Sequence, residues 1–156
     1  MAQTLWTWTL EAYGRPDVEP ACLLLQNHHG QCVSYLLWAV WAGQRGRLTP
    51  ATALKAAKVA RDVETSALRP LRAERQRLKA ASGAGDPGHE RLREQIKTEE
   101  LTKERALLET LESFTGPTDG LPIEVGAALD LAASVWGREP ASNSALERLA
   151  RAFPKP

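Results

Sequence analysis

Residues 32–43 leave the rest of the chain little choice. Val33, Leu36, Leu37, Val40 and Trp41 recur at helical spacing and make one apolar face. Tyr35, Trp38 and Ala42 make a second. A helix with two apolar faces has no side to turn to water, so it is normally buried. The run is also too short to cross a bilayer, which takes about 20 apolar residues. It is therefore the expected centre of a bundle, and the remaining chain must supply helices to cover it. Trp8 and Tyr13 are expected against it, giving a core aromatic cluster of Trp8, Tyr13, Trp38 and Trp41. Aromatics at helical spacing serve more often as core than as a ligand box.

The composition can supply such helices. The chain has 24 Ala and 22 Leu against 7 Val and 2 Ile. Strong helix formers dominate, and the β-branched residues that favour strands are scarce. The expected fold is all-α. At about 100–200 residues per domain, 156 residues make one domain, spanning 1–156. Twenty basic and nineteen acidic side chains nearly cancel, which excludes a strongly basic nucleic-acid binder and an acidic disordered tail. Two Cys exclude a disulfide-rich scaffold. The N-terminus lacks the basic and apolar regions of a signal peptide, so the expected setting is the cytoplasm, with reduced thiols.

Punctuation divides the chain into six or seven helices. Leu5, Trp8, Thr9, Ala12 and Tyr13 mark a helix over 4–14, stopped by Gly14 and Pro16. "DVEPACLLLQNHHG" restarts it, with Asp17 as cap and Gly30 as a left-handed end. Thr49–Pro50 opens a long helix to about residue 81, with Pro70 expected to kink it. "ASGAGDPG" at 81–88 is a turn, and a second long helix covers 89–114. Together these make a Pro-kinked antiparallel hairpin. After the linker "TGPTDG", helices are expected near 122–136 and 143–153, the last with a Ser144–Glu147 capping box. This C-terminal helical extension, 115–156, is expected to pack less tightly.

The hairpin carries the most informative charges. Residues 61–79 have a net charge of +3, and residues 90–112 a net charge of −2. On a wheel at about 100° per residue, Leu92, Ile96, Leu107, Leu111 and Phe114 define the apolar face of the second helix. Glu100 falls near its middle and Glu104 near its edge. A carboxylate there is costly unless paired. Hairpin register places Glu100 opposite Pro70, so the expected partner is Arg72 or Arg75. The cluster reads either as a structural ion pair that fixes register or as a polar pocket for a ligand or partner.

Other chemistry is sparse. Cys22, His28, His29 and Cys32 are all potential zinc ligands, but their spacing matches no common site, and neighbouring His residues on a helix diverge. Cys22, His28 and Cys32 are therefore weak candidates, and no metal or cofactor is expected. A Cys–His nucleophile lacks a third orienting group. No P-loop, dinucleotide fingerprint, metalloprotease motif or nucleophile elbow occurs.

Two stretches, "LWTWTLEAYGRPDVEPACLLLQNHHGQCVSYLLWAVWAG" and "LRPLRAERQRLKA…LREQIKTEELTKERALLETLE", resemble a family of small, functionally uncharacterised proteobacterial proteins, a domain of unknown function. The resemblance covers about residues 5–114. It rests on Leu5–Trp6, Tyr13, Pro16, Ala21–Cys22–Leu23, Leu25–Gln26, Leu36–Leu37, Trp41, Pro70–Leu71–Arg72, and Lys97 with Glu100 and Glu104–Arg105. It implies a bacterial cytosolic helical protein and transfers no activity. This chain departs from the pattern at Asn27, where an acidic residue is common, and at Val63, where Trp is common. His28, His29 and Cys32 lie outside it.

The resulting expectation is a non-catalytic helical interaction or adaptor protein, binding another protein or itself, with neither membrane nor nucleic acid as partner. The alternative is a small-ligand-binding protein or enzyme. The candidate ligand or partner residues are Arg72, Arg75, Lys97, Glu100 and Glu104.

Overall fold

A computed structural model describes residues 3–81, 86–117 and 120–154. The helices are α1 (Leu5–Tyr13), α2 (Val18–His28), α3 (Val33–Gln44), α4 (Pro50–Val63), α5 (Arg69–Ala80), α6 (Pro87–Phe114), α7 (Val125–Trp136) and α8 (Asn143–Arg151). A π-helical turn, Glu64–Leu68, joins α4 to α5 without a break, so the chain reads as seven rods, all-α among the described residues. A short 3-10 turn, Pro140–Ser142, precedes α8. Residues 82–85 of the expected hairpin turn and Thr118–Asp119 of the expected linker lie outside the described residues. None of the described helices is long and apolar enough to cross a membrane.

Every residue of α3 from Val33 to Gly43 is buried, as two apolar faces demand. α1, α2, α4, α6 and α7 all pack against it. Each large side chain enclosed there contributes about 1.5–3 kcal/mol. The buried aromatics still need partners for their polar atoms. The Tyr35 hydroxyl donates to the Ala132 carbonyl at 2.9 Å and lies 3.3 Å from that of Ala53, so it links α7 and α4. Trp38 Nε1 donates to Thr115 Oγ1 at 2.8 Å, just beyond α6.

The aromatic cluster differs from the expected one. Tyr35 and Trp136 join Trp38 and Trp41, and Tyr35 lies 5.9 Å from Trp38 and 5.4 Å from Trp136, ring to ring. Trp8 and Tyr13 are only partly buried at its margin. α1 buries Leu5, Thr9 and Ala12, a stripe that leaves Trp8 and Tyr13 on its flanks. Trp8 instead stacks on Phe153 at 5.8 Å.

Small residues let the outer helices approach closely. α4 buries Ala53, Ala56, Ala57 and Ala60, and the neighbouring α7 buries Ala128, Ala132 and Ala133. Thr49 caps α4 as expected, accepting from the Thr52 N–H at 3.1 Å, with Pro50 in the first turn. Two other expected caps fail. Asp17 adopts a left-handed conformation and its side chain makes no capping bond. α8 starts at Asn143, one residue too early for Ser144 to cap it, because the 3-10 turn leads straight into the helix.

The C-terminal extension is built into the core rather than packed loosely on it. α7 lies along α3 and α4, and α8 covers α2. The segment leading into α7 is pinned to the end of α3: Gly120 N–H donates to the Gly46 carbonyl at 3.1 Å, and Ile123 N–H to that of Gly43 at 3.0 Å. Gly46 has φ +67°, and a Cβ there would fall 2.1 Å from the Gly120 carbonyl oxygen. Gly46→Ala is therefore expected to cost about 1–3 kcal/mol, through strain and loss of this close approach. Urea denaturation checks this, and a variant as stable as the parent would show that the two segments need not touch.

Candidate functional site

The site begins with Pro70. Proline has no N–H and its ring crowds the carbonyl four residues back, so an α-helix cannot continue through it unchanged. The expected kink takes the form of the π turn, in which Arg69 N–H bonds to the Glu64 carbonyl five residues back. Glu64 also continues the buried alanine stripe of α4 by one more turn, which brings its carboxylate into the core at 2% exposure.

Arg72 meets it there. Its Nη1 and Nη2 donate to Glu64 Oε2 and Oε1 at 2.8 and 3.0 Å, a bidentate pair. Burial disfavours the Arg72 charge, but the Glu64 hydrogen bonds and charge outweigh it and raise its pKa overall. Arg69, half exposed, approaches Glu64 only to 3.7 Å. Across the hairpin, Glu104 lies 3.8 Å from Arg72, and Glu100 accepts from Arg75 Nε at 2.6 Å. The expected partner of Glu100 is thus resolved as Arg75. The register is offset by more than a turn from the one that faces Glu100 with Pro70, because the carboxylates on the α6 seam sit against cations and Pro70 offers none.

The ionic cluster borders one of the two thiols. The Cys32 thiol hydrogen-bonds to Glu64; burial first, then the Glu64 charge, pushes it far above the ordinary thiol range. Cys22 hydrogen-bonds to Tyr13 and is pushed up to about 12, chiefly by burial. Both cysteines are free and protonated at neutral pH, so neither offers a thiolate. Glu104 is also raised, mainly by burial, with Arg72 opposing and the charges of Glu100 and Glu64 adding.

Above the Glu64–Arg72 pair lies a cleft of about 250 Å³. Its walls are Gln26 and Asn27 of α2, Gly30 and Gln31 of the α2–α3 link, and Glu64, Arg69, Arg72, Ala73 and Gln76 across from them. Two buried atoms of the lining residues lack hydrogen-bond partners: Arg72 Nε and Gln31 Oε1. A larger cleft of about 530 Å³, beside Val125 and Phe153, is mostly apolar and has no part in the ionic cluster.

Of the residues singled out in the sequence, Arg72, Arg75, Glu100 and Glu104 come together, and Arg72 alone lines the cleft. Lys97 stands apart, paired with Glu94 on the exposed face of α6. Cys22, His28 and Cys32 do not converge. Cys22 is enclosed in α2, Cys32 lies beside Glu64, and His28 is exposed. Among the described residues, no three His, Cys, Asp or Glu side chains are placed to hold a metal. Sequence reasoning missed Glu64, although its place on the Ala53–Ala56–Ala60 stripe was a visible signal.

Residues 4–111 match a family described as "Protein of unknown function (DUF2390)". No curated protein and no solved structure matches the chain.

Removing one partner of a buried pair is far more damaging than losing an exposed one. Glu64→Leu is expected to cost about 3–5 kcal/mol. Glu100→Leu should cost less, because Arg75 is 24% exposed and can turn to water. Equal melting losses would show that the two pairs are equivalent. Glu104 gives a pH signature. A carboxyl with a raised folded-state pKa binds its proton more tightly when folded, so stability falls as pH rises through the window above the ordinary carboxylate range. In Glu104→Gln this fall should shrink, as read from denaturation midpoints at stepped pH.

Proposed function

Because the chain belongs to the DUF2390 family, whose description assigns no activity, its role must be read from its own site, and we propose that it binds a small polar ligand in the cleft between α2 and α5. The observation that carries this reading is the lining: two guanidiniums and four carboxamides meet over a buried carboxylate. A buried ion pair is a poor device for stability alone, since apolar residues of similar volume often serve as well or better. Here the pair opens onto a cleft, with Arg69 turned toward solvent beside it. Concave sites with a few convergent polar groups are the common form of small-molecule sites. The proposed setting is the bacterial cytoplasm, on the family resemblance and the two unpaired thiols.

A second reading, a non-catalytic interaction protein, is supported by the exposed Leu10 and Leu101, each 51% exposed. They line a small cleft of about 60 Å³ between α1 and α6, floored by α3, with Trp6 and Tyr13.

Native mass spectrometry of protein isolated gently from its host separates the two. Added mass of a small molecule, or a melting temperature raised by several degrees on screening polar metabolites, supports the ligand reading. Saturation at about 100 times Kd stabilises by about 2.7 kcal/mol. A mass at whole multiples of the chain, or the chain plus another protein, supports the interaction reading. A bare monomer with no thermal shift overturns both.

A further inference from the structure

We infer that the exposed face of α4 is a docking surface for an acidic, amphipathic segment of a protein partner. The face lies outside the cleft between α2 and α5 and outside the small cleft between α1 and α6, so it is additional to both readings above.

The near neutrality of the whole chain conceals a separation of charge. Between Glu19 and Asp62 there is no acidic residue, and five basic ones occur: Arg45, Arg47, Lys55, Lys58 and Arg61. Residues 20–61 therefore carry +5, and the remaining 15 basic and 19 acidic residues carry −4. The cations of the two regions also differ in their partners. Most of those in the α5–α6 hairpin, from Arg69 to Arg105, are paired with a carboxylate. Among the described residues, no carboxylate pairs with Lys55, Lys58 or Arg61.

The helix leaves these three in the open for a local reason. Ala53, Ala56, Ala57 and Ala60 face the core. At about 100° per residue, Lys58 falls on the far side from them, with Lys55 and Arg61 about 60° to either side of it. Each step also rises about 4.5 Å along the axis, so the three cations fan across one face. Aromatic rings hold the outer two. Lys55 Nζ lies 4.7 Å from the centre of the Phe114 ring. The Arg61 guanidinium lies 4.2 Å from that of Trp136 and donates to the Trp136 carbonyl. A cation seated on a ring keeps its other N–H groups for an acceptor, and it has less freedom to lose when one arrives. Leu54, one turn before Lys58 and about 40° from it, is 51% exposed.

The kind of partner follows from this mixture. Cations fanned around an exposed leucine match carboxylates set around an apolar side chain. Nucleic acid matches them less well. Trp41 and Trp136, on which a base could stack, are buried, and Asp62 stands just beyond Arg61. Leu54 has no counterpart in a phosphate backbone. An anionic bilayer also fits less well, because the alanine stripe of α4 is packed on the core and Leu54 is its one exposed large apolar side chain.

Fluorescence anisotropy at low ionic strength tests this. The probe is a labelled three-turn peptide with Glu on one face and Leu on the other. The comparisons are the same peptide with Lys for Glu, the same peptide with Ser for Leu, a DNA duplex of similar length, and phosphatidylserine vesicles. The Glu–Leu peptide should bind most tightly and weaken as salt is raised. Lys58→Glu should weaken it about tenfold and Leu54→Ser about threefold or more, with melting temperatures near that of the parent, since both positions are exposed. Lys103→Glu, an equal change of charge on the exposed face of α6, should leave binding within about twofold. Equal losses in Lys58→Glu and Lys103→Glu would reveal mere attraction to net charge and overturn the inference. Equal binding of the Ser-for-Leu peptide would overturn it too, as would no binding of the Glu–Leu peptide. Tighter binding of DNA or vesicles, lost in Lys58→Glu, would overturn it in favour of that partner. None of these outcomes touches the reading of the cleft between α2 and α5.

Discussion

Enclosing α3 on every side is the constraint from which the architecture follows. Its buried residues run unbroken from Val33 to Gly43, and five helices are needed to cover them. Four come from the first 114 residues and the fifth, α7, from the C-terminal extension. That explains why the extension packs into the core although it lies beyond the region matched to the family. Without α7, the Tyr35 hydroxyl would lose its acceptor at Ala132 and the Tyr35–Trp136 contact would be gone.

Wrapping α3 this tightly also decides where charge goes. α4 approaches through alanines, and the next residue on that face is Glu64. Pro70 forbids an ordinary helical turn just beyond, and the π turn advances the helix by an extra residue. Arg72 then falls on the same side as Glu64 and meets it with both nitrogens of its fork. The proline, the carboxylate and the arginine act as one device.

The fold class was legible in the sequence because it depends on properties that are local and redundant: helix formers, the periodicity of 32–43, and Thr49–Pro50 as a start. The hairpin charges were half legible. Glu100 on the seam of α6 announced a buried carboxylate, and Arg75 was one of the two expected partners. Glu64 was legible only in part: it continues the alanine stripe of α4, but its partner Arg72 joins it through the π turn, which no sequence periodicity announces. The cleft was not legible at all. Gln26, Asn27, Gln31 and Gln76 come from separated segments, and nothing local distinguishes them from surface amides. The caps at Asp17 and Ser144 failed for the same kind of reason: the chain enters α2 and α8 through turns whose geometry is set by neighbours.

A floor of Glu64 and Arg72 differs from an apolar floor in more than stability. Apolar residues would close the space between α2 and α5 by packing, and nothing would hold a polar surface there. A bidentate pair, fixed by two hydrogen bonds, keeps a guanidinium plane rigid at the base of a cleft open to water. Its desolvation is partly offset within the cluster by the second carboxylate near Arg72, that of Glu104 at 3.8 Å. Charges arranged in this way specify one geometry at some cost in stability. That exchange makes sense at a surface that has to recognise something, and less sense at a joint that only holds two helices together.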